Sequence, residues 1–416
     1  MQPDPRILVG EEVRRLPRQG VVLAVGLLAA MAACDSVPNS RRPIVYRAPD
    51  APKPVPVVVQ RPAPKPSPTP VTPPRPQRPI TPVRPAPPKP QPVPPRPAPR
   101  PVPVTPQPKP PPQVVNVKLP TPQYTVKLKG VTWVSLEAWG RKMGRSTLLR
   151  LKQKSDMIHR LVLGQLQFDL VSGSRIASCQ GMQLWLGFAP KLVKGHLYLH
   201  HLDVTKHLQP LVGSMPRLGR VVVIDPGHGS SNLGTRSVYN RKYEKEYTLD
   251  WALRLKRLLE KKGWRVYLTR TRDKEVGLTD RVKFADRVKA ALFISLHFNY
   301  AARAVNGLET YCIAPVGMPS HLTRGSPDNV KRSLPNNLYD TRNLQLASRV
   351  HSSLLATCRM ADRGVRRIRF MTVLKGQKRP AILVEGGYLS NPTEAKRVES
   401  AAYRQKLAEG IANALP

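Results

Sequence analysis

The second half of the chain alternates between short apolar runs and longer segments in which apolar residues recur at helical spacing. Runs such as "RVVVIDPGHG", "ALFISLHFN" and "PAILVE" are typical of buried strands, whereas "EYTLDWALRLKRLLEKKG" has the spacing of a helix packed on one face. Strands that are apolar throughout and are separated by helices indicate an α/β fold. Residues 220–416 are therefore predicted to form a mostly parallel sheet with helices on both faces.

A different pattern occupies residues 119–219. Segments such as "HRLVLGQLQFDLVSG" alternate apolar and polar residues between glycine-containing turns, which favours short antiparallel strands, and "VSLEAWGRKMG" adds a short helix. The sequence predicts a small α+β module. Its order and the late "KGHLYLHHLDVTKHL" resemble the accessory module named after the copper amine oxidase N-terminal domain. The name does not imply copper here, and a binding or scaffolding role is expected.

The four histidines in the late part of this module raise the question of a metal site. They are His196, His200, His201 and His207. If the strand continued through His200 and His201, these two side chains would point to opposite faces. A shared metal is therefore not expected there.

Residues 35–118 are dominated by proline. From Pro43 to Pro112, 31 of 70 residues are proline, which excludes persistent helix or sheet because proline fixes φ and lacks an amide donor. An extended polyproline II segment rises about 3.1 Å per residue and would reach on the order of 200 Å. The segment is predicted to be a disordered, semi-rigid linker, and docking of SH3-like partners is the alternative.

The N-terminus has the features of an export signal. Arg14, Arg15 and Arg18 stand before the apolar run "VVLAVGLLAAMAAC" at residues 21–34, which is too short to span a bilayer as a helix. Two processing routes fit: cleavage after Ala32, or a lipoprotein route that modifies Cys34, with Met31 where such signals usually carry leucine. Residues 1–34 are thus predicted to export the chain to the cell envelope, where it is periplasmic or membrane-anchored and faces the wall.

The net charge of +42 raises the question of nucleic-acid binding. Basic residues are spread along the whole chain, only 6% of residues are aromatic, and no basic stripe alternates with stacking side chains. Nucleic acid is therefore not an expected partner. Attraction to an anionic surface such as the cell envelope is the better explanation.

The cysteines do not indicate a metal site. Cys34, Cys179, Cys312 and Cys358 show no CxxC spacing. Pairing of Cys312 with Cys358 in an oxidising compartment is one interpretation. The other, that both are small buried apolar residues, is favoured.

Candidate chemistry lies at the ends of the predicted strands. His228, His297 and Glu385 each stand at the carboxyl end of an apolar run, and Glu244 begins the helix after the first strand. Ligands of α/β sheets bind beyond these strand ends. Two imidazoles and a carboxylate suffice for catalytic Zn²⁺, and a second carboxylate can move the proton of an activated water. Singly, each residue also fits a structural or solvated role.

The order of these motifs carries a family resemblance. The series "VVIDPGHG", "YEKEYTLDWALRLKRLLEKKGWRVYLTRTRD", "LFISLHFN", "GLETYCIAP" and "PAILVEGGYLSNP" makes residues 220–415 similar to zinc-dependent N-acetylmuramoyl-L-alanine amidases of the amidase-3 type. The resemblance implies that His228, Glu244 and His297 are zinc ligands and that Glu385 is the catalytic acid–base. It also implies hydrolysis of the amide between the lactyl group of N-acetylmuramic acid and L-alanine, with peptidoglycan as the partner. The chain is expected to be a monomer.

Three departures from the family pattern qualify the resemblance. "SSNLGT" at residues 230–235 replaces the usual Gly-x-Asp-x-Gly and lacks its acid, and Glu246 competes with Glu244 as a ligand. Residues 315–342 form an insertion that is a lid, a substrate loop or an autoinhibitory element. Two other functions stay open: a non-catalytic wall-binding or regulatory protein, and a zinc peptidase that acts on stem peptides.

Overall fold

The computed structural model describes residues 112–323 and 327–416. The predicted export signal at 1–34, its Cys34, and all but the last residues of the predicted linker at 35–118 lie outside the described residues. Among the described residues, no helix combines the length and the apolar character needed to cross a membrane.

The strands of the described residues are labelled in chain order. They are β1 (Gln113–Val114), β2 (Thr125–Leu128), β3 (Val131–Ser135), β4 (Ser146–Gln153), β5 (Asp156–Leu163), β6 (Leu166–Val171), β7 (Ile176–Cys179), β8 (Met182–Trp185), β9 (Lys191–Val193), β10 (His196–His200), β11 (Val221–Pro226), β12 (Arg265–Leu268), β13 (Leu292–Asn299), β14 (Leu308–Ile313), β15 (Asp362–Ile368) and β16 (Ala381–Tyr388).

The helices are labelled in the same way. They are α1 (Leu136–Met143), α2 (His201–Asp203), α3 (Gln209–Val212), α4 (Glu244–Lys261), α5 (Leu278–Arg287), α6 (Asp340–Cys358), α7 (Thr372–Lys375), α8 (Pro392–Glu399) and α9 (Ala401–Ala414). A π-helical turn, Val204–Leu208, joins α2 to α3, and a 3₁₀ turn, Pro335–Tyr339, precedes α6.

Twelve strands form one sheet, in the order β1-β4-β5-β6-β7-β8-β15-β14-β16-β13-β11-β12. In the C-terminal part, β12, β11, β13 and β16 are parallel neighbours, β14 is antiparallel to β16, and β15 is parallel to β14. The α/β prediction is therefore confirmed. Two strands, β14 and β15, run opposite to the other strands of this part of the sheet. Strands β2, β3, β9 and β10 form a separate four-stranded sheet.

Both faces of the C-terminal sheet are covered by helices, as predicted. Val222 and Ile224 of β11 pack with residues of α4, α6 and α9, whereas Val223 between them packs with residues of α5 and α7. Successive strand residues point to opposite faces, so each face buries alternate side chains. We call these the α4 face and the α5 face.

The local sequence accounts for where the helices begin and end. α4 is followed by Gly263 with φ +78°, and α6 ends at Arg359, whose φ of +51° is left-handed. α8 begins after Asn391, whose side chain accepts hydrogen bonds from the Thr393 and Glu394 amides, with Pro392 in the first turn.

The middle region contributes strands to both sheets. Strands β4 to β8 form an antiparallel meander that continues the large sheet, because β8 pairs in parallel with β15 at Leu184 and Val365. The predicted linker also reaches into this sheet, since Gln113–Val114 pairs with β4. The domain boundaries at residues 118 and 219 stay predictions.

The insertion at 315–342 follows β14, which runs opposite to β16. The carboxyl end of β14 therefore lies at the edge of the sheet away from the carboxyl ends of β11, β13 and β16. The described part of the insertion packs towards the middle region: a Cβ placed on Gly187 would meet Met318, and the ring of His321 lies 3.8 Å from that of Trp185. These contacts do not place it over the strand ends.

The structure tests the expectations for the cysteines and for the paired histidines of the middle region. Cys179, Cys312 and Cys358 are buried and free, so the interpretation as small buried apolar residues is confirmed for Cys312 and Cys358. The expectation that His200 and His201 point to opposite faces is wrong, because β10 ends at His200. Their rings stack at 4.7 Å.

Candidate metal centre

Four separate elements bring the predicted site residues to one edge of the sheet. His228 lies two residues beyond β11, His297 is in β13, Glu385 is in β16, and Glu244 is the first residue of α4. All four are buried, with between 2% and 6% of their surface exposed. The parallel strands explain the convergence, because their carboxyl ends share an edge.

Three of these residues are within reach of a single ion. Ligand atoms of His228, Glu244 and His297 lie within 4.8 Å of one another. Among residues 112–323 and 327–416, this is the one group of at least three His, Cys, Asp or Glu side chains that could hold a metal ion. The Oε2 atom of Glu244 is 3.1 Å from Nε2 of His228, and its Oε1 is 2.9 Å from Nδ1 of His297. The two imidazole rings lie 4.8 Å apart at 75°.

This donor set fits a divalent metal ion such as zinc. Bonds of about 2.0–2.2 Å to nitrogen and oxygen in a tetrahedral arrangement put neighbouring ligand atoms roughly 3.3 Å apart. The observed separations from the Glu244 carboxylate are close to this spacing. Burial also lowers the pKa of His297, which favours the neutral imidazole that a metal requires.

Glu244 is held as a carboxylate. The Phe298 amide donates to its Oε1 at 3.0 Å and the Thr235 amide donates to its Oε2 at 3.0 Å. Burial alone would raise the pKa of Glu244, but the charges and hydrogen bonds of His228 and His297 outweigh it and hold the pKa well below its usual value. The competing candidate Glu246 instead accepts a hydrogen bond from the Tyr243 amide at the start of α4.

The backbone around His228 is fixed by buried arginines. Arg281 forms a buried ion pair with Asp225 at 2.5 Å and donates to the His228 carbonyl at 2.9 Å. Arg270 donates to the carbonyls of Pro226 and Gly227 at 3.0 and 2.8 Å. These bonds support the left-handed backbone of His228, whose φ is +64°.

Asn232 orients the His228 ring. Its Oδ1 lies 2.7 Å from Nδ1 of His228, so Nδ1–H donates to the amide oxygen and Nε2 faces Glu244. Asn232 stands in "SSNLGT", where the family commonly has an acid. An acid at this position would offer a carboxylate oxygen to the histidine. Asn232 offers an amide oxygen instead, which accepts the same hydrogen bond but carries no charge.

Two glycines leave the space that the ligands occupy. A Cβ on Gly227 would lie 2.3 Å from the His297 ring. A Cβ on Gly234, whose φ is +71°, would lie 2.7 Å from both the His228 ring and Cβ of Glu244. A side chain at either position would displace a ligand.

Glu385 projects from the same face as His297. It is the register partner of His297 on one side and of Glu309 on the other, and opposite residues of paired strands share a face. Glu309 is fully buried and accepts hydrogen bonds from Arg363 and Tyr388, each at 2.7 Å. Burial raises its pKa, but the adjacent guanidiniums prevail and hold the pKa below the ordinary value.

Some site residues were not identified from the sequence. Asn232 stood in a segment noted only for its missing acid, and Glu309 lay inside an apparently ordinary strand, "GLETYCIAP". A charged residue in an otherwise apolar strand was the available signal for Glu309. Arg281 pairs with Asp225 and Arg363 pairs with Glu309, and neither arginine was singled out from the sequence as a site residue.

The family model and the relatives that match this chain all carry the names of amidases. Residues 222–416 match the Amidase_3 family, described as N-acetylmuramoyl-L-alanine amidase. The probable cell wall amidase LytH of Staphylococcus epidermidis is 30% identical over 224 residues, which cover 53% of this chain and 66% of LytH. LytC of Bacillus subtilis, an N-acetylmuramoyl-L-alanine amidase, is 32% identical over 197 residues, covering 47% of this chain and 35% of LytC.

One solved structure is similar over about the same share of this chain, that of the N-acetylmuramoyl-L-alanine amidase AmiC2 of Nostoc punctiforme. It is 32% identical, with 48% of this chain and 97% of that chain covered, and the TM-score is 0.39. The chain thus spans slightly less than two thirds of the first curated relative, and the similarity lies in its C-terminal half. Residues 222–416 are thus similar to the N-acetylmuramoyl-L-alanine amidase family Amidase_3.

Proposed function

We propose that this chain is a zinc-dependent peptidoglycan hydrolase. It cleaves the amide between the lactyl group of N-acetylmuramic acid and L-alanine. The observation that supports this most is the convergence of two imidazoles and the Glu244 carboxylate within an Amidase_3 domain, with Glu385 at the register position beside His297. The names of the relatives, cell wall amidase and N-acetylmuramoyl-L-alanine amidase, give the reaction and the substrate.

In this proposal each residue has a distinct task. His228, Glu244 and His297 hold the ion, Asn232 keeps Nε2 of His228 available for it, and Glu385 transfers the proton. Zinc bound there supplies Lewis-acid activation of water and of the amide carbonyl. Glu385 receives the proton of the attacking water and delivers it to the nitrogen of the departing L-alanine.

The remaining sequence expectations complete the proposal. The chain is exported to the cell envelope, where it is periplasmic or held at a membrane through Cys34, and it acts as a monomer. The proline-rich linker separates the catalytic part from that anchor. Nucleic acid is not a partner.

The test is mass spectrometry of fragments released from purified peptidoglycan by the zinc-loaded chain. We expect peptides with a free L-alanine amine and glycan strands with intact lactyl groups. Glu385→Gln should keep its zinc and release at least about 100-fold less product, the scale at which general acid–base residues contribute. Cleavage within the stem peptides would instead identify a zinc peptidase, and absence of any product a non-catalytic wall-binding protein.

A further inference from the structure

The carboxylate of Glu309 connects two strands that carry candidate site residues. Asn299, two residues after His297 in β13, donates to its Oε2 at 2.9 Å. Tyr388, three residues after Glu385 in β16, donates to its Oε1 at 2.7 Å. β14 runs opposite to β16, so its first residues lie at the edge where β13 and β16 end. We call Glu309 and these two donors the clamp, because they tie the ends of β13 and β16 to β14.

Two arginines of β15 balance the charge of the clamp. Glu309 is fully buried. Nε of Arg363 donates to it at 2.7 Å, and Nη2 of Arg366 pairs with it at 3.0 Å. A buried carboxylate that loses such partners is left as an uncompensated charge, which is strongly destabilising. The geometry of the clamp therefore depends on where β15 places these two side chains.

Trp185 of the middle region contacts both arginines. Its indole Nε1 donates to the Arg363 carbonyl at 3.1 Å, and Nε of Arg366 donates to the same carbonyl at 3.0 Å. The Arg366 guanidinium lies over the indole ring, 5.1 Å from its centre, which is within the range of a cation–π interaction. The ring of His321 also lies against the indole, at 3.8 Å between centres. Trp185 is thus an interior support of the clamp.

The junction between β8 and β15 determines where the indole lies. The Gln183 amide donates to Oδ2 of Asp362 at 2.6 Å, and a Cβ placed on Gly364 would lie 3.0 Å from the Trp185 ring. Leu184, the preceding residue, is buried in the cluster on the α4 face, whereas Trp185 projects from the opposite face. Two consecutive residues of β8 therefore support the junction, and only Trp185 reaches the clamp.

We infer that Trp185 is a positioning residue of the proposed reaction, by which the middle region supports the candidate metal centre. Trp185 holds the two arginines against Glu309. Glu309 in turn fixes the ends of β13 and β16, and so keeps Glu385 beside His297. The inference rests on the proposed function, because the group that is held in place is the proposed proton carrier. Trp185 lies outside residues 222–416, which match the family, so the middle region supplies a support that this match does not contain.

The test compares neighbouring substitutions in the full-length chain. Trp185→Leu removes the contacts to both arginines. Leu184→Ala is the matched control, because it removes buried contacts from the same strand on the other face of the sheet. Trp185→Phe is the conservative variant, since a ring can still lie under Arg366 while the bond to the Arg363 carbonyl is lost.

Four measurements would be made on each variant. They are kcat and KM on a soluble N-acetylmuramoyl dipeptide, zinc affinity by chelator competition, stability in urea, and hydrogen exchange of the metal-free chain. The exchange rate of residues 385–388 would be divided by that of β11, which corrects for a change in global stability. Circular dichroism would check folding, and Trp185→Phe allows the same comparison if Trp185→Leu does not fold.

We expect Trp185→Leu to lower kcat about 10- to 100-fold, because a small displacement of a reacting group has effects of this size. Its KM and zinc affinity should stay within about twofold of the parent chain, and its relative exchange at 385–388 should rise at least about fivefold. Trp185→Phe should show smaller changes in the same direction. Leu184→Ala should lose stability but keep kcat and relative exchange.

The outcomes separate the inference from the proposed function. A Trp185→Leu chain that matches Leu184→Ala in kcat and in relative exchange would overturn the positioning role. So would a loss of activity that follows a loss of zinc, since the effect would then act on the metal ligands. If the zinc-loaded parent chain cleaves nothing, the proposed function is refuted, and faster relative exchange in Trp185→Leu would still support the role of Trp185 in holding β16.

Discussion

The effect of a single methyl group at Gly234 follows from the positions of two candidate ligands. Gly234 has φ +71°, and a Cβ there would lie 2.7 Å from the His228 ring and 2.8 Å from Oε2 of Glu244. Gly263 provides a matched control, because its φ is +78° and a Cβ there would have no neighbour within 4 Å. Both alanine variants carry the same backbone strain, and only one of them also crowds the site.

The expected magnitudes separate these two effects. Left-handed backbone at a non-glycine residue costs about 1–2 kcal/mol, so Gly263→Ala should lower the free energy of unfolding by that amount. Gly234→Ala adds overpacking against buried side chains, which costs about 1–3 kcal/mol more. Because the displaced atoms belong to His228 and Glu244, zinc affinity should also fall about 10- to 100-fold, the range seen when the support of a metal ligand is lost.

The assay has two parts. Urea unfolding of metal-free protein gives the stability change of each variant, and competition with a chromophoric chelator gives the zinc affinity. Gly263→Ala should bind zinc like the parent chain. If Gly234→Ala also does so while losing only as much stability as Gly263→Ala, then His228 and Glu244 do not share a metal ion.

Three further predictions concern two residues near the centre and one residue of the insertion. Asn232→Leu should lower zinc affinity about tenfold or more by removing the acceptor for Nδ1 of His228, whereas Asn232→Asp should retain it; chelator competition distinguishes them. Arg281→Met should lower the free energy of unfolding by about 3–5 kcal/mol because it leaves Asp225 charged and buried, and an effect below 1 kcal/mol in urea unfolding would contradict this. Burial lowers the pKa of His321 from 6.5 to about 3, so the unfolded chain takes up the proton first and stability declines as pH falls from 6.5 towards 3. His321→Phe should remove that part of the pH dependence, as measured by urea unfolding at a series of pH values.

The sequence was sufficient for the main features of the centre because they depend on local pattern and on one rule of topology. Apolar runs identified β11, β13 and β16, and parallel neighbours share the edge at which they end. His228, His297 and Glu385 could therefore be placed together without knowledge of strand order. Glu244 followed from its position at the start of the next helix.

Other features depend on contacts between distant segments. The reversal of β14 places Glu309 beside Glu385, yet "GLETYCIAP" reads like the parallel strands around it. The pairing of β8 with β15 through Leu184 and Val365 joins the middle region to the large sheet, and no property of either strand specifies the partner. The left-handed conformation of His228 is likewise supported by Arg281, which is 53 residues away.

The position of the insertion at 315–342 shows the same dependence. From the sequence, a lid, a substrate loop and an autoinhibitory element were equally consistent with its composition. Because β14 is antiparallel to β16, the insertion leaves the sheet at the edge away from the candidate metal centre. Strand direction, which single-sequence patterns do not specify, determines where the insertion leaves the sheet.

The central claim is that His228, Glu244 and His297 bind one zinc ion beneath Glu385. Anomalous diffraction from crystals of the zinc-loaded chain, recorded on both sides of the zinc absorption edge, tests it directly. We predict a single strong peak about 2.0–2.2 Å from one nitrogen of each histidine and from a Glu244 oxygen. A peak ligated by other residues, or no peak at this site in crystals soaked with zinc, would contradict the account.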